Sequence, residues 1–345
     1  MLTTLRNAWK IADLRKKLLF TLVIILLYRI GNVIPVPFVN FKMMAEMFSA
    51  QLSNTIFGLM DMMSGSAFSQ ATIFALSIQP YINASIIIQL LTIAIPALER
   101  LSKEGGEEGK KKITKITRLT TVAIALLMGF AYFMMLKNYN AQYALLVSDS
   151  FLSALVIILT FTAGSTLVMW LGEQITEYGI GNGISLILFV NIVSRGPAIL
   201  NALVAYASGS NDSVPHWAGI LITIGSVILG LFMIVLIVFI NDSERRIPIQ
   251  YAKKVVGRKM YGGQNSTLPI KLNNTGVMPI IFASSFMTFP AMIIQMFNSN
   301  IATETGFWSV IYKFSLATSS SSVGIGYSIV NAIVYLLLIV GFTFF

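Results

Sequence analysis

The stretch Ile73–Pro96, IFALSIQPYINASIIIQLLTIAIP, decides how the chain is read. Its length matches the roughly 20 residues that a helix needs to cross a bilayer. It nevertheless carries Pro80 and the polar residues Gln79, Asn83, Ser85 and Gln89. Lipid offers such side chains no hydrogen-bond partner, whereas neighbouring helices or a water-filled space do. Ile78 and Ile82 stand four residues apart, so on a helix they project from one face. The pattern predicts a helix lining a space between other helices, and it leaves open what passes through that space.

The chain has 345 residues, 56% hydrophobic and 11% charged, with a mean hydropathy of +0.78. Soluble domains carry about a quarter charged residues, so the composition is that of a polytopic membrane protein. Cysteine is absent, which excludes disulfides, thiolate metal sites and cysteine nucleophiles. The single histidine, His216, lies between Pro215 and Trp217 and reads as structural. The basic N-terminus MLTTLRNAWKIADLRKK precedes an apolar run too long for a signal peptide and without a small-residue cleavage site, so it reads as a retained first span.

Eight hydrophobic spans are expected, at about Leu18–Val36, Ile73–Ala97, Leu119–Leu136, Phe151–Leu171, Ile184–Val204, Trp217–Ile240, Thr275–Phe297 and Ile325–Phe345. Three segments hold 19 of the 24 basic residues: the N-terminus, the loop after the second span and the loop after the sixth. The positive-inside rule then makes the N-terminus cytoplasmic. The net charge of +10 sits on one membrane face and needs no nucleic-acid partner to explain it.

The connecting segments differ in character. Residues 40–72 are apolar and Met-rich around IFGLMDMMSGSAF (Ile56–Phe68). They are too short to span and suit either an interfacial segment or a re-entrant piece folded into the bundle. Residues 97–112 read as a solvated hairpin of mixed charge. YGIGNG (Tyr178–Gly183) follows a span rather than a strand and lacks Lys or Arg, so it reads as a tight turn and not a phosphate loop. Residues 241–274 contain β-leaning pieces around Gly262–Gly263 and read as a basic hairpin suited to docking a large partner.

Ion-coupled transporters and pumps need ionisable groups inside the membrane. Here only Arg29 falls clearly within a span, with a polar partner expected for it, and Glu173 and Glu177 are placed at a solvated rim. No serine or threonine has a plausible activating base at membrane depth. No catalytic residue, metal or cofactor is expected. A conduit, a scaffold or a carrier for an uncharged solute remains.

Five stretches resemble the SecY family of protein-conducting channel subunits: YRIGNVIPVP (Tyr28–Pro37), IFALSIQPYINASIIIQLL (Ile73–Leu91), WLGEQITEYGIGNGIS (Trp170–Ser185), RRIPIQYAKK (Arg245–Lys254) and GVMPIIFASS (Gly276–Ser285). The resemblance covers essentially the whole chain in order. It implies an all-α helical clamshell of ten spans, of which about eight are expected here. The N-terminal half would be 1–205 and the C-terminal half 206–345, the latter incomplete because the chain stops at Phe345 inside the eighth span. The resemblance further implies a pore ring of Ile78, Ile82, Ile184, Leu188 and Ile281. It implies a re-entrant plug at about 56–72, including Met60, Met62, Met63, Ser64, Gly65 and Phe68. Gln89 and Asn273 become lateral-gate candidates, and Arg245, Arg246, Lys253, Lys254, Arg258 and Lys259 become docking residues for the motor ATPase SecA or for ribosomal RNA. SecE, SecG, polypeptides with signal sequences and membrane lipids are the further partners implied, in a bacterial plasma membrane. An uncharged-solute transporter and a non-conducting truncated scaffold stand as alternatives.

Overall fold

The computed structural model describes residues 9–52, 56–209, 215–249, 254–256, 259–261, 266–273, 275–276, 278–297, 306–316 and 325–344. The chain forms two compact units, one of Met1–Gly196 with Ile281–Phe345 and the other of Pro197–Ile280. This partition differs from the two halves expected at 1–205 and 206–345.

The first unit is helical. Its elements are α1 (Ala12–Gly31), α2 (Phe41–Met47) continued by a π-helical turn (Phe48–Leu52), α3 (Ile56–Ser64), α4 (Gln79–Ala94), α5 (Pro96–Lys103), α6 (Gly106–Tyr143), α7 (Phe151–Tyr178) and α8 (Gly183–Val193). The second unit holds α9 (Gly196–Ala207), α10 (His216–Asp242) and four short strands. α11 (Met278–Phe297) leads back into the first unit, where α12 (Phe307–Leu316) and α13 (Ile325–Phe344) complete the order.

Ile73–Pro96 is not one continuous helix. Ile73–Ile78 is a run of turns, and α4 begins only at Gln79, with Pro80 in its first turn. Proline is favoured there because its missing N–H would have no helical partner and its φ is already helical. Pro80 therefore starts the helix rather than breaking it. The second proline ends it: Ile95, preceding Pro96, is extended, as the residue before proline prefers, and α5 leaves at 101°. Gln79 and Asn83 are buried, as a helix lining protein rather than lipid requires.

Two apolar clusters make the core of this unit. One gathers Phe57, Phe68, Tyr132 and Phe161 with Met44, Met47 and Met128. Phe68 stacks on Phe57 at 5.4 Å and meets Tyr132 edge-on at 4.8 Å, the preferred geometries of aromatic quadrupoles. The other gathers Ile24, Tyr28, Phe74, Ile78, Ile82, Ile86, Val168, Leu171, Ile175, Ile187 and Leu188. The segment around α3 thus packs among the helices and does not lie on a surface.

Helices occupy part of each stretch expected as a span, the fifth being divided between α8 and α9. By length and composition, four described helices qualify as membrane-crossing, or five with the bent α4–α5 pair. α1 is interrupted by Arg15, Lys16, Lys17 and Arg29, while Met278–Ala291 and Ile329–Phe344 are shorter apolar helices. Arg29 lies in the last turn of α1, where the carbonyl ends favour a cation. The expected hairpin at 97–112 is helical, with α5 and α6 meeting at Gly105–Gly106. On α5, Glu99 accepts a 2.7 Å hydrogen bond from Lys103 one turn on, which raises the ammonium pKa.

In the second unit, α10 is apolar on every side, as a lipid-facing helix is. β1 (Glu244–Ile249) pairs antiparallel with β4 (Ser266–Lys271), and β2 (Lys254–Val256) pairs antiparallel with β3 (Lys259–Tyr261). The basic loop is therefore two strand pairs, β2–β3 lying in sequence between β1 and β4, close to the hairpin expected.

Candidate functional site: an aliphatic constriction beneath a buried short helix

The geometry of the constriction begins at the turn before α8. Gly181 takes φ +73°, a left-handed conformation that suits glycine. Asn182 then caps α8, its side-chain oxygen accepting from the N–H groups of Ile184 (3.0 Å) and Ser185 (3.3 Å). Gly183 lies so close to α7 that a Cβ would fall 1.9 Å from the Gly172 carbonyl oxygen. Cap and close approach together fix where Ile184 and Leu188 point. The side chains of Ile78, Ile184 and Ile187 meet around Gly172, each within 3.7 Å of where its Cβ would be.

All five aliphatics expected to form a ring belong to this one cluster. Ile78, Ile82 and Leu188 are buried in it, while Ile184 and Ile281 are partly buried against it. Ile78 caps α4, and its carbonyl accepts the N–H of Ile82 at 3.1 Å. The one-turn spacing read from the sequence therefore survives, although Ile78 itself precedes the helix.

α3 packs against this cluster. Met60, Met63 and Ser64 share with Ala75–Gln79 and Leu188 a cavity of only about 10 Å³, roughly the size of one water. Of the expected plug residues, Met60, Ser64 and Phe68 are buried, Met63 and Gly65 are half-buried, and Met62 is exposed. Several neighbouring elements tie the segment down. Tyr132 on α6 donates to the Phe68 carbonyl (2.8 Å), and Asn191 on α8 donates to the Met63 carbonyl (2.8 Å). The same Asn191 amide lies 2.9 Å from the Tyr28 hydroxyl and 3.3 Å from that of Ser77. Asp61 of α3 is ion-paired with Arg195, which stands between α8 and α9.

These tethering residues are absent from the sequence reading. Asp61 is 2% exposed, so Arg29 is not the only charge placed in the interior. A carboxylate inside a Met-rich apolar run and an asparagine inside FVNIV were the available signals. Glu173, placed at a rim by the sequence, meets Arg118 with both its oxygens, at 2.9 Å each. A two-armed contact matches the planar guanidinium to the carboxylate.

The gate candidates fall in different units. Gln89 is exposed on α4, next to Leu90. Leu90 lines an apolar cavity of about 390 Å³ together with Phe286 of α11 and Val334, Leu337, Leu338 and Phe342 of α13. Asn273 follows β4, donating to Asn241 (2.8 Å) and accepting from the Gly276 N–H (3.0 Å). Among the docking candidates, Arg245 and Arg246 are exposed on β1, facing Ile270 and Pro269 across the pair. Lys254 and Lys259 lie in β2 and β3, and Lys253 and Arg258 lie outside the described residues. No cluster of potential metal ligands occurs among the described residues.

Comparison with known proteins gives one consistent result. A family model described as SecY matches residues 72–345. The protein translocase subunit SecY of Streptomyces scabiei is 42% identical over all of this chain and 76% of its own length. That of Mycobacterium tuberculosis is 38% identical over the same shares. Among solved structures, a protein-conducting channel superposes with a TM-score of 0.64 at 20% identity, over 94% of this chain and 71% of its own. The Sec61 channel in the canine ribosome–channel complex superposes at 0.60 with 21% identity, over 94% and 69%.

Proposed function

This chain belongs to the SecY family, and on that premise we propose that its pore is closed by the Ile78, Ile82, Ile184, Leu188 and Ile281 ring with the 56–72 segment as its plug. It is a subunit of a protein-translocation channel in a membrane. The single observation that carries the finer reading is the stacking of α3 over Ile78 and Leu188, leaving room for about one water. Apolar side chains around a narrow passage stop ions by excluding water, and flexible aliphatics yield to a passing chain.

The remaining parts of the mechanism follow from that core. A hydrophobic segment leaving sideways would meet the apolar cavity beside Gln89, between the second span and the seventh and eighth. Gln89 and Asn273 are gate residues in this scheme, opening against hydrogen bonds of about 0.6–2 kcal/mol each. Arg245, Arg246 and the lysines of the strand pairs present positive charge suited to an acidic motor surface or to ribosomal RNA phosphates. SecA or a ribosome would drive transport, SecE and SecG would brace the bundle, and the N-terminus would face the cytoplasm of a bacterial plasma membrane. The halves 1–205 and 206–345 would be the two sides of the clamshell.

The test is ion conductance in reconstituted membranes. Ile82→Ser with Ile184→Ser is expected to raise the resting leak, and a translocating chain arrested in the channel is expected to crosslink to a photoreactive residue at position 82. Unchanged leak together with no crosslink would reject the ring.

A further inference from the structure

We propose that Asp61 and Arg195 form a charged latch that holds the short helix α3 closed over the constriction, a role that rests on reading residues 56–72 as the plug. Both residues belong to the same compact unit. Asp61 is almost wholly buried, and its two oxygens do different work. Oδ1 accepts the N–H of Ser69 at 2.8 Å and so closes the turn that follows α3. Oδ2 accepts from Nη2 of Arg195, 134 residues away in sequence. The first contact is internal to the segment and would travel with it. The second is external and must break if α3 leaves.

The chemistry of this contact suits a switch better than a fastener. A buried ion pair gives little net stability compared with apolar packing, yet leaving one member behind unpaired is costly. The segment already has neutral ties at Phe68 and Met63, so a charged one is not needed to fix its position at rest. The charge makes the pair all-or-none: closed with both ions matched, or open with both rehydrated. Nε of Arg195 is buried without a partner among the described residues, so the guanidinium is only partly engaged. The Arg118–Glu173 pair, by contrast, is two-armed.

The backbone supports the same reading. Ser66, Ala71 and Ser77 take φ values of +70°, +46° and +48°, and Gly65 takes +68°. Non-glycine residues in the left-handed region persist only where their surroundings over-determine them, and they gather at moving parts. The stretch joining α3 to α4 therefore carries strain that the ties around it hold in place. Arg195 stands in the two-residue break between α8 and α9, where a shift of either helix would move the guanidinium. A signal arriving through that break reaches Asp61 directly.

Three variants test the latch in the full chain reconstituted with its translocation partners, against Ile82→Ser as the control for the pore itself. Asp61→Asn keeps an Oδ1 acceptor for Ser69 but puts an uncharged NH2 in place of Oδ2, which cannot accept from Arg195. It is expected to raise resting ion leak roughly tenfold and to let substrates with weakened signal sequences through, since a few kcal/mol separates minor from major states in such equilibria. Arg195→Gln strands the carboxylate and is expected to have the larger effect. Combining the two should bring the leak back toward that of Asp61→Asn alone, because contacting residues are not additive. Signal-sequence dependence is the readout that a merely structural bond would leave unmoved. Additive effects in the double variant, or leak from Ile82→Ser but none from Asp61→Asn, would overturn the latch while keeping the pore. Silence from Ile82→Ser would instead remove the reading on which the latch rests. Failure of both Asp61→Asn and the double variant to accumulate as folded protein would make the pair a folding requirement, and the latch would be wrong.

Discussion

Gly164→Ala is expected to damage both the stability and the seal of this channel. Gly164 sits in the middle of α7, facing the turns that lead from α3 into α4. A Cβ there would lie 2.0 Å from the Ile73 carbonyl oxygen and 2.9 Å from both its carbonyl carbon and its Cγ2. Real Cβ contacts do not fall below 3.0 Å, so the two backbones must part by about 1 Å or more. A carbonyl oxygen cannot rotate out of the way as a side chain can. Ile73 is itself held, donating to the Ile34 carbonyl at 3.0 Å in a short bridge with Pro35 and Thr72. Overpacking of this kind costs about 1–3 kcal/mol, and the backbone-on-backbone contact puts Gly164→Ala at the upper end. Alanine's better helix propensity returns at most about 1 kcal/mol. A net loss of about 2 kcal/mol shifts an equilibrium roughly thirtyfold, at about 1.4 kcal/mol per factor of ten. Because the displaced turns carry Ser77 and Ile78, resting leak should rise with the loss of stability. Gly129→Ala on α6 is the matched control, since its Cβ would meet the Ile158 oxygen at 3.2 Å, a misfit of a few tenths of an ångström, and Phe161 Cβ and Thr162 Oγ1 at an ordinary 3.5 Å. Thermal unfolding in detergent and ion conductance in proteoliposomes measure the two effects. A Gly164→Ala protein that melts and conducts like the Gly129→Ala protein would refute the packing argument.

Two smaller perturbations follow from the same arrangement. Tyr132→Phe removes the 2.8 Å hydrogen bond to the Phe68 carbonyl but keeps the ring contacts, so it should cost about 1–3 kcal/mol through the buried acceptor left behind. The expected sign of that loss is greater protease access at residues 65–72, and unchanged cleavage would show that the ring packing alone holds the segment. Asn182→Ala removes the cap of α8 and should cost about 1 kcal/mol, loosening Ile184 and Leu188. Asn182→Ser or Asn182→Asp should restore most of it, as measured by thermal midpoint and leak, because any short side-chain acceptor serves the free N–H groups.

How far the sequence discloses this architecture depends on the range of the cause. Local causes are visible. The one-turn spacings 78/82 and 184/188, the turn at Gly181 and the basic strands around Arg245 all appear in the structure close to where the residues place them. Pro80 is the instructive exception, because proline reads equally as a break inside a helix or as its first turn. The N–H that proline lacks decides between them only once the preceding six residues are known to be turns. The ion pairs Asp61–Arg195 and Arg118–Glu173 escape a sequence reading for a different reason. Each charge is matched by a partner between 55 and 134 residues away, and no periodicity encodes that distance.

The same distinction explains why the resting state needs both kinds of residue. An aliphatic ring closes by dewetting and opens without breaking any specific bond, so in the proposed ring Ile78, Ile82 and Leu188 would set how narrow the passage is but not when it opens. Timing requires an element with two discrete arrangements and a contact that differs between them. α3 and the turns after it would supply the element, and their ties reach Tyr132 on α6 and, on and just after α8, Asn191 and Arg195. A polypeptide that parts α6 from α8 would loosen these ties together, whereas thermal motion of α6 alone loosens only the one to Tyr132. Selectivity for a genuine substrate over chance opening then follows from the number and dispersal of the ties, with the charged tie contributing the steepest step.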